Sequence, residues 1–222
     1  MRAFSLELKR ATHDLHHCLH GWPAAKAIVD GVKVPVRAIS AYVAGLNVID
    51  HLFDRALEGF EADLPSPWPQ PLQERKKRSD QDLRRACARL QDWHDHCSEP
   101  SLRRNILAEH PLSFDSAAQA MGGLYVYAGS FQGGRLIKER ISPTLDKHSQ
   151  IPVTSLQYEA PARAWTAVLH RLETLSSREE KNDCIQGAVR SFQTLCSALV
   201  PQAASSFRPR SQRTTATVLR YS

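Results

Sequence analysis

The chain lacks the cysteine pattern of a disulfide framework or a structural zinc site. Its five cysteines are odd in number, and none forms a Cys-x-x-Cys pair. No stretch approaches the roughly 18 uninterrupted apolar residues that a transmembrane helix needs. The first ten residues also lack the apolar core of a signal peptide. These absences predict free thiols, no membrane-spanning helix and a cytoplasmic protein.

Motifs for nucleotide-dependent or nucleophilic chemistry are missing as well. The chain contains no nucleophile elbow, no phosphate-binding loop and no dinucleotide fingerprint. The dipeptide Gly129-Ser130 lacks the preceding strand that a nucleophilic serine would need. These absences argue against most hydrolases and nucleotide-dependent enzymes.

The net charge of +6 is concentrated at one end of the chain. Residues 201–222 carry four arginines and no acidic residue, so they hold +4 of this charge. A second basic run at 75–78 is predicted to be a solvated helix face. Nucleic acid is not an expected partner, because no aromatic interleaving accompanies these runs. An acidic protein partner for the basic residues remains an alternative.

The hydrophobic pattern is helical almost throughout, and no convincing strand or internal repeat appears. The sequence therefore predicts an all-α domain over residues 1–200, followed by a basic, disordered tail over 201–222. Four prolines within 64–71 predict a loop, as does the stretch 143–160. Helices are expected at about 4–20, 35–58, 79–94, 116–142, 161–175 and 177–199.

Residues 122–134 form an unusual helical segment, because they hold five of the ten glycines. Each glycine in a helix interior costs roughly 1 kcal/mol relative to alanine. At 100° per residue, Gly122, Gly129 and Gly133 lie close to one line along the helix, which leaves that face nearly bare. Three interpretations stay open: close packing of another helix, a loop, or a face that contacts a planar ligand.

The first helix carries four histidines, in two pairs with i, i+4 spacing. Such pairs can bind metal, although no nearby cysteine or carboxylate completes a zinc set. His16 borders the apolar stripe of this helix, so it is either a ligand or a satisfied core residue. A histidine on one helix and a bare glycine face on another together favour a planar metal macrocycle held between two helices.

Two motifs resemble those of the heme oxygenase family, and most closely its bacterial, bacteriophytochrome-associated branch. Residues 8–16, Leu-Lys-Arg-Ala-Thr-His-Asp-Leu-His, are similar to the segment that ends in the family's proximal heme ligand. Residues 123–134, Gly-Leu-Tyr-Val-Tyr-Ala-Gly-Ser-Phe-Gln-Gly-Gly, are similar to the segment that forms its kinked distal helix. The resemblance spans about residues 4–200.

The resemblance implies a heme-oxygenase-like helical bundle, with heme between a proximal N-terminal helix and a glycine-kinked distal helix. Heme would be both substrate and cofactor, and O2 would cleave it to biliverdin, carbon monoxide and ferrous iron. Electrons would come from a ferredoxin or a flavin reductase as the redox partner. A bacteriophytochrome that receives biliverdin would be a further partner.

The same resemblance assigns roles to individual residues. His16 would be the axial ligand of the heme iron. Gly129 and Gly133 would let the distal backbone approach the heme, and Ser130 would help order a distal water as proton source. The resemblance also places Lys9 against a heme propionate.

Tyr125 would be a second propionate contact. The chain departs from the bacterial pattern at Ala128, where the family has Glu, and late basic residues that would contact propionates have no clean counterpart. These departures favour an alternative, a non-catalytic heme-binding or sensing protein on the same fold. A third interpretation is an all-α interaction module whose glycines only pack helices.

Overall fold

The computed structural model describes residues 3–31, 34–89, 107–145 and 153–200. Within these ranges all regular secondary structure is helical, which confirms the all-α prediction. No helix in the described ranges combines the length and apolar character that crossing a bilayer would require. The helices are α1 Ala3–Ala11, α2 His13–Leu19, α3 Pro23–Val29, α4 Val36–Leu57, α5 Gln70–Arg89, α6 Ala117–Leu145, α7 Thr154–Gln157, α8 Ala162–Glu173 and α9 Arg178–Leu199.

Several predicted helix starts are confirmed together with their caps. The hydroxyl of Ser177 accepts a hydrogen bond from the Glu180 backbone N–H at 3.0 Å, and the two residues form a capping box at the start of α9. Ser116 caps α6 in the same way, with its Oγ 3.2 Å from the Gln119 backbone nitrogen. These local signals locate both helices because a cap satisfies N–H groups that the helix itself leaves unpaired.

The prediction of one continuous first helix over 4–20 is wrong. The structure divides it at Thr12, whose backbone leaves helical geometry at φ −105° and ψ 2°. The Thr12 hydroxyl donates a 2.9 Å hydrogen bond to the carbonyl of Leu8, which also accepts from the Thr12 backbone N–H at 3.1 Å. His16 therefore lies on a separate short helix, α2, in which no residue is fully buried.

Two predicted boundaries next to prolines are also wrong. Helix α5 begins at Gln70 rather than near Ser79, because Pro71 is tolerated in the first turn, where its missing N–H has no partner to lose. Helix α6 continues past Pro143 to Leu145, and the short helix α7 also lies within the stretch 143–160, for which the sequence predicts a loop. The predicted tail 201–222 and the end of the helix predicted over 79–94 lie outside the described residues.

The core is organised around α4 and around the crossing of α6 with α9, which is the most extensive contact between two of the described helices. Glycines make this crossing possible, because a Cβ at Gly122 would overlap the carbonyl oxygen of Cys184, and a Cβ at Gly187 that of Gln119. Close helix packing is therefore the correct interpretation for Gly122. Gly123 is also enclosed, since its Cβ would overlap the ring of Phe114.

Candidate functional site

The glycines of α6 divide into two groups with different surroundings. Gly122 and Gly123 are packed against other parts of the core, as described above. At Gly129, Gly133 and Gly134, by contrast, no atom of the described residues lies within 4 Å of the position that a Cβ would occupy. The second half of α6 therefore presents bare backbone to open space. We call the surface at Gly129 and Gly133, which lie close to one line along the helix, the bare face.

The bare face continues into an apolar side chain. Leu136 lies within about 20° of the line through Gly129, at 100° per residue along a helix. Its side chain is 59% exposed, which makes it one of two strongly exposed large apolar residues in the described ranges. Exposed backbone followed by an exposed leucine is a surface that a flat apolar ligand would cover well.

His16 presents its imidazole at the surface of α2. The ring packs edge-on against Phe192 of α9, with centroids 5.9 Å apart, and against His20 at 5.3 Å. Partial burial lowers the pKa of His16, and the neighbouring charges of His20 and His17 lower it further. The neutral imidazole is the form that binds iron, so this environment favours a ligand role.

The other histidines of α2 do not build a metal site of their own. Among the described residues, no three His, Cys, Asp or Glu side chains are grouped so that they could hold a metal ion. The i, i+4 pairs noted in the sequence, such as His13 with His17 at 4.5 Å between ring centroids, pack ring against ring.

The two predicted propionate contacts lie on different helices. Lys9 is exposed in the last turn of α1, and its charge contributes to the lowered pKa of His16. Tyr125 is partly buried on α6, with its ring 5.6 Å from that of Trp165. Burial raises the pKa of Tyr125, so its hydroxyl stays a hydrogen-bond donor at neutral pH. Both propionate roles stay predictions.

A buried polar cluster lies next to the glycines of α6 and joins α4, α5 and α6. Arg75 donates from Nε to Asp50 at 2.7 Å and from Nη1 to Ser130 at 2.8 Å. The hydroxyls of Ser79 and Tyr127 donate to the same carboxylate at 2.8 and 3.0 Å. We call these residues the Asp50–Arg75 cluster.

The charges in this cluster are matched inside the core. Burial raises the pKa of Asp50, and the Arg75 guanidinium and the hydroxyl donors act in the opposite direction without outweighing it. Burial is the largest single influence on the pKa of Arg75 and lowers it, but Asp50, Tyr127 and Tyr42 together raise the net pKa. The guanidinium also stacks on the rings of Tyr127 and Phe131, at 4.3 and 4.0 Å from their centroids.

One contact in this cluster is electrostatic rather than a hydrogen bond. Nη2 of Arg75 lies 2.7 Å from Asp50 Oδ1, within ion-pair distance. Nη2 nevertheless makes no aligned hydrogen bond. The aligned bond from Arg75 to Oδ1 comes from Nε. The ion pair is therefore held by charge and by one well-aligned bond, with Ser130 as the third anchor.

Ser130 is oriented toward this cluster. Its hydroxyl accepts from Arg75 and donates to the carbonyl of Tyr127 at 2.6 Å. Ser130 also lines a cleft of about 340 Å³, together with Ala128 and Gly134. His16, Lys9, Gly129 and Gly133 are not among the residues that line this cleft. The role of Ser130 in ordering a distal water stays a prediction.

The Asp50–Arg75 cluster is not predicted by the sequence, and the prediction for one of its members is wrong. Arg75 is expected on a solvated basic face, but it is 3% exposed. The available signal is Asp50, which stands among Leu46, Ile49 and Phe53 on the apolar side of α4. A charge in such a position needs a buried partner of opposite sign, but the sequence does not say which arginine supplies it.

The fold and these sites define an all-α protein in which one long helix has bare backbone at Gly129 and Gly133 and is tied through Ser130 to a buried ion pair. Neither a protein-family model nor a curated protein matches the chain. The choice among functions therefore depends on the chemistry that His16 and the bare face can support.

Proposed function

We propose that the protein is a heme oxygenase, which uses O2 and electrons from an external donor to cleave heme to biliverdin, carbon monoxide and ferrous iron. The observation that carries the proposal is the bare backbone at Gly129 and Gly133. These glycines pack against none of the other described residues, in contrast to Gly122 on the same helix. Their cost in helix propensity, roughly 1 kcal/mol each relative to alanine, is offset if the backbone must approach a planar substrate.

The residues present fit a heme with one protein ligand. His16 offers a neutral, surface-accessible imidazole, as iron ligation requires. Gly129 and Gly133 offer a surface without side chains, against which a macrocycle could lie in van der Waals contact. Leu136 adds exposed apolar area beside them. Heme, when bound, supplies the iron at which O2 is activated and the ring carbon that is oxidised.

The contribution of this chain is then to hold α6 in place beside the substrate. A glycine-rich helix has a weak intrinsic preference for helical geometry. The hydrogen bond from Arg75 to Ser130 holds this segment in place next to Gly129, and the ion pair with Asp50 fixes the position of Arg75 itself. The backbone at Gly129 can thereby keep a constant distance from a bound ring, which favours attack at one ring position over others.

A second candidate function is heme binding without turnover, and Ala128 is the observation that favours it. The bacterial family has Glu at this position, whereas Ala128 is 3% exposed and contributes only a methyl group to the cleft. A carboxylate that could accept or relay a proton is therefore missing at this point.

The first test compares His16→Ala with the wild-type protein in a hemin titration. We expect the wild type to bind hemin in a 1:1 complex with a sharp Soret band. In His16→Ala the Soret band should shift and the affinity for hemin should fall. Loss of an outer-shell partner of a metal ligand costs roughly 10–100-fold in affinity, and loss of the ligand itself should cost at least as much. His17→Ala, on the same helix, is the matched control and should retain the wild-type spectrum.

Adding a reductant and O2 to the complex then separates the candidate functions. Conversion of the Soret band to a biliverdin spectrum, with release of carbon monoxide, supports the oxygenase. A stable complex that never turns over would show a heme-binding protein instead. If hemin does not bind, both heme functions are wrong, and the interaction module is left.

A further inference from the structure

Two thiols from distant parts of the chain meet where α2 packs on α9. Cys196 is fully buried, and Cys18 is half-buried and packs against it. Together with three apolar neighbours they form a small cluster at the edge of the main core, which shares Leu19 and Trp22 with it. The Cys196 Sγ lies 3.4 Å from the carbonyl oxygen of Leu15 and donates to it. The apolar neighbours are Leu19, Trp22 and Val200.

We propose that Cys18 and Cys196 form an oxidisable dithiol, which hydrogen peroxide converts to a disulfide that cross-links α2 to α9. The sulfur of Cys18 attacks one peroxide oxygen, the O–O bond breaks, and a sulfenic acid and one water form. The sulfur of Cys196 then attacks that of Cys18, the S–O bond breaks, and the second water leaves. The two thiols lose two electrons, the peroxide gains them, and both thiol protons end in water.

The order of the two attacks follows from accessibility. Cys18 is the less buried of the two sulfurs, so it is the one that meets an oxidant arriving from solvent. Burial and the adjacent Cys18 raise the pKa of the Cys196 thiol, which makes Cys196 a poor first nucleophile. Once Cys18 is oxidised, Cys196 is already in contact with it and needs no approach through solvent.

Cys184 is a built-in comparison on the same helix. It is fully buried, and burial raises its pKa to about 12. It lies twelve residues before Cys196 on α9, which at 1.5 Å per residue is about 18 Å along the axis and too far for a disulfide between them. We therefore expect Cys184 to resist the same oxidant.

The position of the pair gives the cross-link a structural effect. Cys18 follows His16 by two residues, and Cys196 lies one helical turn after Phe192, the ring against which His16 packs. A bond between the two sulfurs would fix α2 against α9 next to this contact. The cross-link itself requires no heme, so it stands or fails independently of the proposed function.

The test is oxidation of the purified chain with hydrogen peroxide, followed by trypsin digestion under non-reducing conditions and mass spectrometry. Cys87→Ser/Cys97→Ser serves as the background, so that only the three described thiols are present. We expect a linked species of peptides 11–26 and 191–210 that disappears on reduction, while peptide 182–190 with Cys184 stays unmodified. Thermal unfolding of the same samples should show a higher Tm after oxidation, since the cross-link restricts the unfolded chain.

Two variants make the result decisive. In Cys196→Ser, the linked species should be lost, and Cys18 should instead be trapped as a sulfenic acid by dimedone. In Cys184→Ser, the cross-link should form at the wild-type rate. The proposal is overturned if no Cys18–Cys196 peptide appears, if Cys184 is oxidised as fast as Cys18, or if the linked species persists in Cys196→Ser.

Discussion

Replacing Gly122 by alanine is expected to destabilise the protein by about 3 kcal/mol, at the upper end of the usual cost of overpacking a core. The new Cβ would overlap the Cys184 carbonyl oxygen and lie 2.8 Å from the backbone nitrogen of Ala188. Both groups belong to the backbone of α9, which cannot rotate away as a side chain can. Alanine gains roughly 1 kcal/mol in helix propensity, but this gain is smaller than the cost of separating the two helices.

Gly129→Ala is the matched control, because it makes the same chemical change on the same helix. No described atom lies within 4 Å of the Cβ position at Gly129. This substitution should therefore raise the free energy of unfolding by up to about 1 kcal/mol. Under the proposed function it should also reduce heme turnover, since the added methyl group would occupy the surface that faces the ring.

Urea denaturation followed by far-UV circular dichroism measures both variants on one scale. The informative quantity is the difference between the two variants in their free energy of unfolding. Equal destabilisation of Gly122→Ala and Gly129→Ala would contradict the division of α6 into a packed half and a bare half. A Gly129→Ala protein that is more stable and turns heme over normally would contradict the distal role of Gly129.

Replacing Asp50 by asparagine is expected to destabilise the protein by about 3–5 kcal/mol, the usual effect of removing one partner of a buried ion pair. The substitution keeps the size of the side chain but removes its charge. The Arg75 side chain, 4% exposed, would then be buried without a counter-charge. The loss would be a large share of a total stability that is roughly 5–15 kcal/mol for an ordinary domain.

A double substitution tests whether the cost arises from the orphaned charge. Asp50→Asn combined with Arg75→Met removes both charges and should be less destabilised than the sum of the single variants. The ion pair of Lys26 with Asp30 is the exposed comparison, at 2.6 Å and with both side chains more than half exposed. Asp30→Asn should change stability little, because solvent screens exposed pairs.

Guanidinium denaturation is unsuitable for these measurements, because the ion itself screens charges, so urea is the denaturant of choice. If Asp50→Asn and Asp30→Asn have the same small effect, the Asp50–Arg75 cluster contributes nothing special to stability. Additive effects in the double variant would show that the two charges do not interact. Either result would remove the reason to regard this cluster as the anchor of the segment of α6 that contains Gly129 and Ser130.

Local signals in the sequence predict much of the fold. Helices α4, α8 and α9 lie within two residues of the predicted bounds, because an apolar face and strong end signals agree there.

Predictions fail where one residue type has two opposite meanings. Pro71 is a helix breaker in most positions, but in a first turn proline is compatible with the helix, and only the packing of α5 decides which applies. Thr12 interrupts a helix whose hydrophobic pattern is continuous, so the apolar spacing alone does not show the break.

The sequence by itself determined the helical class, the position of the glycine-rich helix and the identity of His16 as the histidine to test. Only the tertiary structure decided which glycines pack and which stay bare, because both kinds occupy the same line along one helix and differ only in what α9 places beside them. It also decided that Arg75 is buried against Asp50 and Ser130. Periodicity describes one helix at a time, whereas these contacts join residues 25 and 55 positions apart, and only packing brings such residues together.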